Sequence, residues 1–179
     1  MLKKILIVVV AVIAIFVAVV ATRPSEFHVS RSAAMGAAPA AVFAQVNDLP
    51  SWGVWDPWAK IDPNAKTTFD GPQTGVGAGM AWDGNAEVGK GKMTITESKP
   101  DERIALRLDF EKPMKSTCEA QFDFKADGDK TTVTWTMSGK NNFVGKAFSL
   151  FMDCDKMIGG DFEKGLAQLK AVVEKPAAK

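Results

Sequence analysis

Three consecutive segments between residues 103 and 137 alternate apolar and polar residues with a period of two. In the first segment, residues 103–111, the apolar positions are Ile104, Leu106, Leu108 and Phe110. In the second and third segments they are Cys118, Ala120, Phe122, Phe124, Val133, Trp135 and Met137. Such alternation predicts antiparallel strands with one buried face and one face in water. The ADGD sequence at residues 126–129 predicts a hairpin turn between the last two strands.

Weaker signals place more strands and a short helix before this region. A first strand begins at Phe27, and further strands fit residues 66–70, 77–83 and 90–97. Pro39 suits the first turn of a short helix, because its fixed backbone angle matches the helix and its missing N–H has no partner there. The sequence therefore predicts a sheet of about six or seven strands, with helices at both ends of the domain.

After Lys140 the apolar period changes to that of a helix, which Asn141 or Asn142 can cap. The apolar stripe of this helix comprises Phe143, Ala147, Leu150, Phe151, Cys154, Ile158, Phe162, Leu166, Leu169 and Val173. Because Gly159-Gly160 interrupts the stripe, we expect a kink or break there, with Asp161 capping the second half.

The N-terminal segment contains an uninterrupted apolar run of 17 residues, Ile5–Ala21, behind two lysines. This length lies at the lower edge for a membrane-spanning helix and exceeds the apolar core of a secretory signal. We therefore favour an uncleaved single-pass anchor over residues 1–24, with a cleaved signal as the alternative. Lys3 and Lys4 place the N-terminus in the cytoplasm. In both cases the domain, residues 25–176, is predicted on the extracytoplasmic (periplasmic) side.

Charge and cysteine content narrow the possible partners. Without the two N-terminal lysines the chain carries 20 basic and 21 acidic residues, so it has no basic surplus that would attract nucleic acid.

Cys118 and Cys154 lie in a compartment that permits disulfides. They either form a disulfide or remain as two buried thiols, and the sequence favours the thiols.

Three stretches together resemble one known family. They are "VFAQVNDLPSWGVWDPWAKID", "ESKPDERIALRLDFEKPMKSTCEAQFDF" and "VTWTMSGKNNFVGKAFSLFMDCDKMIGGDFEKGLAQLK". The chain from about Phe27 to Glu174 resembles the polyketide cyclase/dehydrase and lipid-transport family (SRPBCC) of the START-like helix-grip superfamily. The resemblance implies an α+β helix-grip fold, in which a curved antiparallel sheet wraps a long C-terminal helix. It also implies a hydrophobic ligand between sheet and helix, and it leaves catalysis open.

If the apolar face of each strand is turned toward the helix, a ligand cavity has an almost entirely apolar lining. The predicted lining comprises Trp55, Trp58, Met80, Trp82, Met93, Ile95, Leu106, Leu108, Phe110, Cys118, Phe122, Trp135, Met137 and Phe151. None of these side chains is a general acid or base of the usual kind, so we predict no catalytic residue.

The chain has few candidates for other chemistry. His28 is predicted on the outer face, and Glu97 at the solvated rim of its strand. Asp56 is the strongest candidate carboxylate, because neighbouring tryptophans could raise its pKa, although an Asp-Pro turn explains it better. Asp153, Asp155, Asp161 and Glu163 are read as a solvated helix face. We predict neither a metal nor a cofactor.

The sequence thus predicts a membrane-anchored domain that binds a hydrophobic small molecule or lipid without catalysis. One alternative is a cyclase or hydrolase that uses Asp56 or Glu97, which requires one of these carboxylates to face inward. Another is a ligand-free interaction module, in which side chains fill the cavity. The stretch SWGVWDPW, residues 51–58, is either a core plug or a wall of the ligand pocket.

Overall fold

Within residues 1–175, which the computed structural model describes, seven strands form one antiparallel sheet. In chain order they are β1 (Glu26–Met35), β2 (Lys66–Asp70), β3 (Gly79–Asp83), β4 (Lys90–Lys99), β5 (Arg103–Lys112), β6 (Ser116–Asp127) and β7 (Lys130–Lys140). Their order across the sheet is β1-β7-β6-β5-β4-β3-β2. Strands β2 to β7 therefore lie beside their neighbours in the chain, and β1 pairs with β7. The predicted antiparallel sheet is confirmed.

The same described residues form five α-helices and one 3-10 helix. The α-helices are α1 (Leu2–Ala21), α2 (Pro39–Asn47), α3 (Pro57–Ile61), α4 (Phe143–Phe148) and α5 (Cys154–Val173), and the 3-10 helix is Leu49–Val54. Pro39 occupies the first turn of α2, and Asn142 caps α4 by accepting a hydrogen bond from the Gly145 N–H at 2.8 Å. With α5 packed on the inner face of the sheet, the predicted α+β helix-grip fold is confirmed.

Arg31 of the edge strand β1 binds two carboxylates of α5, and Lys170 of α5 donates to the Ala34 carbonyl of β1 at 2.6 Å. Arg31 Nε lies 2.8 Å from Glu163 Oε1, and its Nη2 lies 3.0 Å from Asp155 Oδ2. Nη2 also donates to the Asp155 backbone carbonyl at 3.0 Å. The carboxylate of Asp155, and secondly that of Glu163, raises the pKa of Arg31, while Arg31 holds the pKa of Asp155 below its usual range.

The C-terminal helix breaks earlier than the sequence predicts. The interruption lies at residues 149–153, and Asp153 caps α5 by accepting from the Lys156 N–H at 3.2 Å. Helix α5 then continues through Gly159 and Gly160, so the expected break at the glycine pair, with Asp161 as cap, is wrong. The reason is that Gly159 lies against the Arg31 guanidinium, where a larger residue would overlap with it. This glycine permits close packing and does not end the helix.

The sheet presents one face to the helices and the other to solvent, as the alternation predicts. His28 and Glu97 both lie on the outer face. A bulge between Ile95 and Glu97 shifts the register of β4, so that Glu97 pairs with Ala105, and its carboxylate lies 2.6 Å from Lys99 Nζ. Glu97 therefore does not face inward, which removes it as a catalytic candidate of the enzyme hypothesis.

Candidate functional site

The space between the sheet and α5 contains a cluster of stacked aromatic rings. We call it the aromatic cluster; its members are Trp52, Trp55, Trp58, Phe122, Trp135 and Phe162. Trp135 is central, since it stacks on Phe162 at a centroid distance of 4.1 Å and on Phe122 at 4.7 Å. Trp55 and Trp58 each meet Trp135 edge-on at 6.0 Å. The rings fill the middle of the gap that the sequence predicts as a cavity.

The turn between α2 and α3 carries the tryptophans into this position. Trp52 Nε1 donates to the Val46 carbonyl at 2.9 Å, which fixes the 3-10 helix to the end of α2. The Asp56 carboxylate caps α3 by accepting from the Trp58 N–H at 3.3 Å. From the other side, α5 approaches closely at Gly165, where a Cβ would lie 2.7 Å from the Trp135 ring. A bulkier residue at this position would push α5 away from the rings.

The predicted lining residues fall into three groups in the structure. Those buried in the core are Trp55, Met80, Met93, Ile95, Leu106, Cys118, Phe122, Trp135 and Met137. Those half-buried beside the core are Trp58, Trp82, Leu108 and Phe110, with Trp82 and Phe110 edge-on at 5.7 Å. Phe151 is 79% exposed, so its prediction as a lining residue is wrong. The chain from residue 149 to 153 is not helical, and Phe151 therefore leaves the apolar stripe of the helix.

Two buried indole N–H groups have no hydrogen-bond acceptor within residues 1–175. They belong to Trp55 and Trp135, which are 0% and 3% exposed. A buried donor without an acceptor costs about 1–3 kcal/mol, so native proteins rarely leave one unexplained. An acceptor atom of a bound molecule, or a buried water, would satisfy either group. The apolar interior thus contains two N–H groups that require a hydrogen-bond acceptor.

Asp56 lies beside this interior and has a perturbed acidity. Burial raises the pKa of Asp56 from 3.8 to about 6, and hydrogen bonds from the backbone N–H groups of Trp58 and Ala59 oppose the rise. Both N–H groups belong to the first turn of α3. The carboxylate is therefore engaged as a helix cap, in agreement with the local structural role that the sequence favours for it.

Arg31 is an inner-face charge that the sequence analysis missed. It shares the phase of Phe27 and Val29 along β1, and this phase was the available signal. Its engagement by α5 also accounts for Asp155 and Glu163, two of the four acidic residues predicted on a solvated helix face. Among the described residues, no group of acidic, histidine or cysteine side chains is arranged to hold a metal ion.

The two cysteines are free thiols in the structure. Cys118 is buried on the inner face of β6, and Cys154 is partly buried at the first residue of α5. Burial raises the pKa of Cys118, which disfavours its reactive thiolate form.

A surface cleft of about 560 Å³ lies where α1 leads into β1. Its walls come from two segments of the chain, residues 23–27 and residues 149–154, together with Asn141. Phe27 is shared between this cleft and the core, because its ring also packs against the buried residues of the inner face. The cleft thus borders the domain interior at the end of the sheet that is nearest to α1.

Over residues 26–174 the chain matches the family described as polyketide cyclase/dehydrase and lipid transport. The chain belongs to this family. The family predicted from the sequence is thereby confirmed over nearly the whole chain outside α1. Its description names both catalysis and lipid transport, so membership by itself does not choose between an enzyme and a carrier. No curated protein matches the chain.

Solved structures from several organisms have the same fold. A protein from Chromobacterium violaceum is 16% identical, with a TM-score of 0.60 over 86% of this chain and 99% of its own. The Aha1 dimer from Colwellia psychrerythraea is 15% identical, with a TM-score of 0.60 over 85% and 99%. Major latex-like protein 151 from Panax ginseng is 12% identical, with a TM-score of 0.58 over 85% and 100%. At these identities the likeness shows the fold alone.

Proposed function

We propose that this family member is a membrane-anchored carrier for a hydrophobic molecule that bears a hydrogen-bond acceptor. The ligand would lie between the sheet and α5, among the aromatic cluster and the methionines of β3, β4 and β7. The observation that carries the proposal is the pair of buried indole N–H groups of Trp55 and Trp135 without an acceptor in the described chain. A carbonyl, hydroxyl or carboxylate oxygen of the ligand would accept from them.

Admission of a ligand requires the packed rings to separate, and the lining favours such rearrangement. Met80, Met93 and Met137 are unbranched and flexible, and such side chains repack around guests of different shape. Trp58 is a half-buried member of the cluster, so its ring can move away from the others with the least loss of buried contact.

The inner face supports binding better than catalysis. Its charged groups near the aromatic cluster, Arg31 and Asp56, are engaged by α5 and by the α3 N-terminus respectively. A general acid or base needs a titratable group free to reach the reacting atom. The two carboxylates of the enzyme hypothesis are thus a helix cap and an outer-face ion pair, and we propose a non-catalytic role.

The length and composition of helix α1 support membrane anchoring. The helix is 20 residues long and apolar enough to cross a membrane, although a signal sequence has the same properties. We propose that it is retained as a single-pass anchor. Lys3 and Lys4 at its start favour a cytoplasmic N-terminus, which puts residues 25–176 on the extracytoplasmic side.

The test is native mass spectrometry of the full chain, purified gently from its host membranes, followed by extraction of any bound molecule. We expect one hydrophobic molecule with an oxygen acceptor per protein. Trp135→Phe retains an aromatic ring and removes the N–H, so it should raise the dissociation constant about tenfold through the loss of one hydrogen bond and lower the bound fraction accordingly. Trp55→Phe should act in the same direction.

Trp52→Phe is the matched control. It makes the same substitution within the aromatic cluster, but the Trp52 N–H is already bonded to Val46. Ligand occupancy should therefore fall less in Trp52→Phe than in Trp135→Phe and Trp55→Phe. An adduct that persists equally in all three variants would be lipid around α1, and it would contradict the proposed site.

A ligand-free interaction module is the second candidate, because the aromatic rings contact one another closely and fill the gap. Its expected result in the same experiment is an empty protein that stays empty when a hydrophobic probe is offered. In that case the stacked rings would be an ordinary core, and the function would lie on the outer surface of the domain.

A further inference from the structure

The chain between β7 and the second turn of α5 carries a concentrated exposed apolar surface. Six large apolar side chains within residues 143–157 are 40–79% exposed: Phe143, Val144, Phe148, Phe151, Met152 and Met157. We call this set the α4 surface. Soluble proteins rarely expose so many adjacent large apolar residues without an interaction partner.

The α4 surface lies beside the end of the anchor helix. Helix α1 contacts α4, and Val20 in the last turn of α1 is completely buried. Just beyond α1, Arg23 Nη2 donates to the Ser149 carbonyl at 3.1 Å. If α1 spans a bilayer, its last residues lie at the membrane surface. The exposed side chains of residues 148–152 are therefore held at the same level.

The cleft at this end combines apolar walls with charged groups. Phe27, Leu150 and Met152 contribute apolar surface, and the charged side chains are those of Arg23, Glu26 and Asp153. The apolar side chains suit the acyl region of a bilayer. Phe27 also packs against the core, so its ring lies between the cleft and the domain interior.

We propose that the α4 surface is seated in the bilayer interface, and that the adjacent cleft is where a lipid passes between the membrane and the domain. This inference rests on the proposed anchor and carrier function. Tethering by α1 alone would not require this contact, because a tethered domain could also lie at a distance from the membrane. The occupant of the surface is the bilayer that holds α1, because the surface is continuous with that helix.

The test measures depth in the membrane on the full chain, in vesicles of phosphatidylcholine with a minority of phosphatidylglycerol. An environment-sensitive fluorophore is attached at Phe151→Cys in a background of Cys118→Ala and Cys154→Ser. Doxyl-labelled phosphatidylcholine in the same vesicles is the quencher. Val12→Cys in the middle of α1 is the positive control. Asp129→Cys is the negative control, because the length of β7 separates it by about 30 Å from the end of the sheet near α1.

We expect a blue-shifted label at position 151 that is quenched several-fold more than the label at position 129. Equal quenching at 151 and 129, with strong quenching at 12, would overturn the seated surface and leave the anchor intact. A blue-shifted but unquenched label at 151 would also overturn it, since a protein partner or a second copy would then cover the surface. Absence of quenching at 12 would refute the anchor itself, and with it the inference. No ligand is needed, so loss of the carrier function alone would leave these results unchanged.

Discussion

Replacing Asp56 by asparagine should stabilise the protein at neutral pH. Asparagine is as good an N-cap as aspartate, so the variant keeps the cap of α3. What the variant removes is the cost of keeping a carboxylate charged beside the tryptophans. The pKa of Asp56 in the folded protein is about 6, against 3.8 for an unperturbed carboxyl.

The size and sign of the effect follow from this difference in pKa. Folding favours the protonated form, so the favourable contribution is fully present below pH 3.8 and is lost as the pH rises to about 6. A shift of about two pKa units corresponds to about 3 kcal/mol of free energy of unfolding. At pH 7.5 we therefore expect the free energy of unfolding of Asp56→Asn to be about 2–3 kcal/mol higher than that of the wild type. Below pH 4 the two should nearly coincide.

The assay is urea unfolding of the full chain in neutral detergent, followed by tryptophan fluorescence across this pH range. The measured quantity is the difference in free energy of unfolding between the variant and the wild type at each pH. Other carboxylates, such as Asp109 and Asp155, have lowered pKa values and destabilise both proteins on acidification. Asp129→Asn, in the exposed β6–β7 turn, controls for the loss of a carboxylate.

Two results would refute this reasoning about Asp56. If the variant is less stable than the wild type at pH 7.5, the hydrogen bonds to the ionised carboxylate outweigh its burial. If the difference does not change between pH 4 and 7.5, the carboxyl titrates alike in the folded and unfolded states.

Two further predictions concern the packing of α5. Phe162 is 1% exposed and stacks on Trp135, so Phe162→Ala should lower the free energy of unfolding by about 3–5 kcal/mol, measured by the same urea assay. Phe162→Leu is the control and should lower the free energy of unfolding much less. If Phe162→Ala lowers it by less than about 1 kcal/mol, the stack is loosely packed. In thermal unfolding, Gly160→Ala should raise the midpoint, because nothing lies near its Cβ position and alanine favours the helix by about 0.5–1 kcal/mol. The unfolding midpoint of Gly159→Ala should be lower than that of Gly160→Ala, because the added methyl group at residue 159 displaces Arg31. Equal midpoints would show that Arg31 moves aside freely.

Much of the secondary structure could be predicted because it depends on local chemistry. The alternation in residues 103–137 predicts β5, β6 and β7 to within a few residues. The position of Pro39 in the first turn of α2, the Asn142 cap and the apolar length of α1 are also properties of short segments. The outward position of His28 follows from its phase relative to Phe27. Each of these depends on neighbours in the chain, which the sequence displays directly.

The candidate site was predicted less well, because its geometry depends on contacts between distant segments. The apolar phase of the strands identifies Leu106, Phe122 and Trp135 as inward-facing. It does not indicate that the tryptophans of the α2–α3 turn occupy the gap, or that the Trp55 and Trp135 N–H groups lack acceptors. The bulge that turns Glu97 outward depends on the pairing of β4 with β5, which alternation within one strand cannot reveal.

The amino-acid sequence by itself determined the strand phases, the starts of α2 and α4, the apolar N-terminal helix and the family. The tertiary structure decided where the C-terminal helix breaks and what fills its contact with the sheet. Gly159 is a helix breaker by propensity, yet Arg31 of β1 packs against it, and the helix continues. Phe151 fits the apolar stripe by spacing, yet the turn before α5 leaves it exposed. Local preferences amount to about 1 kcal/mol per residue, and packing between distant segments is strong enough to override them.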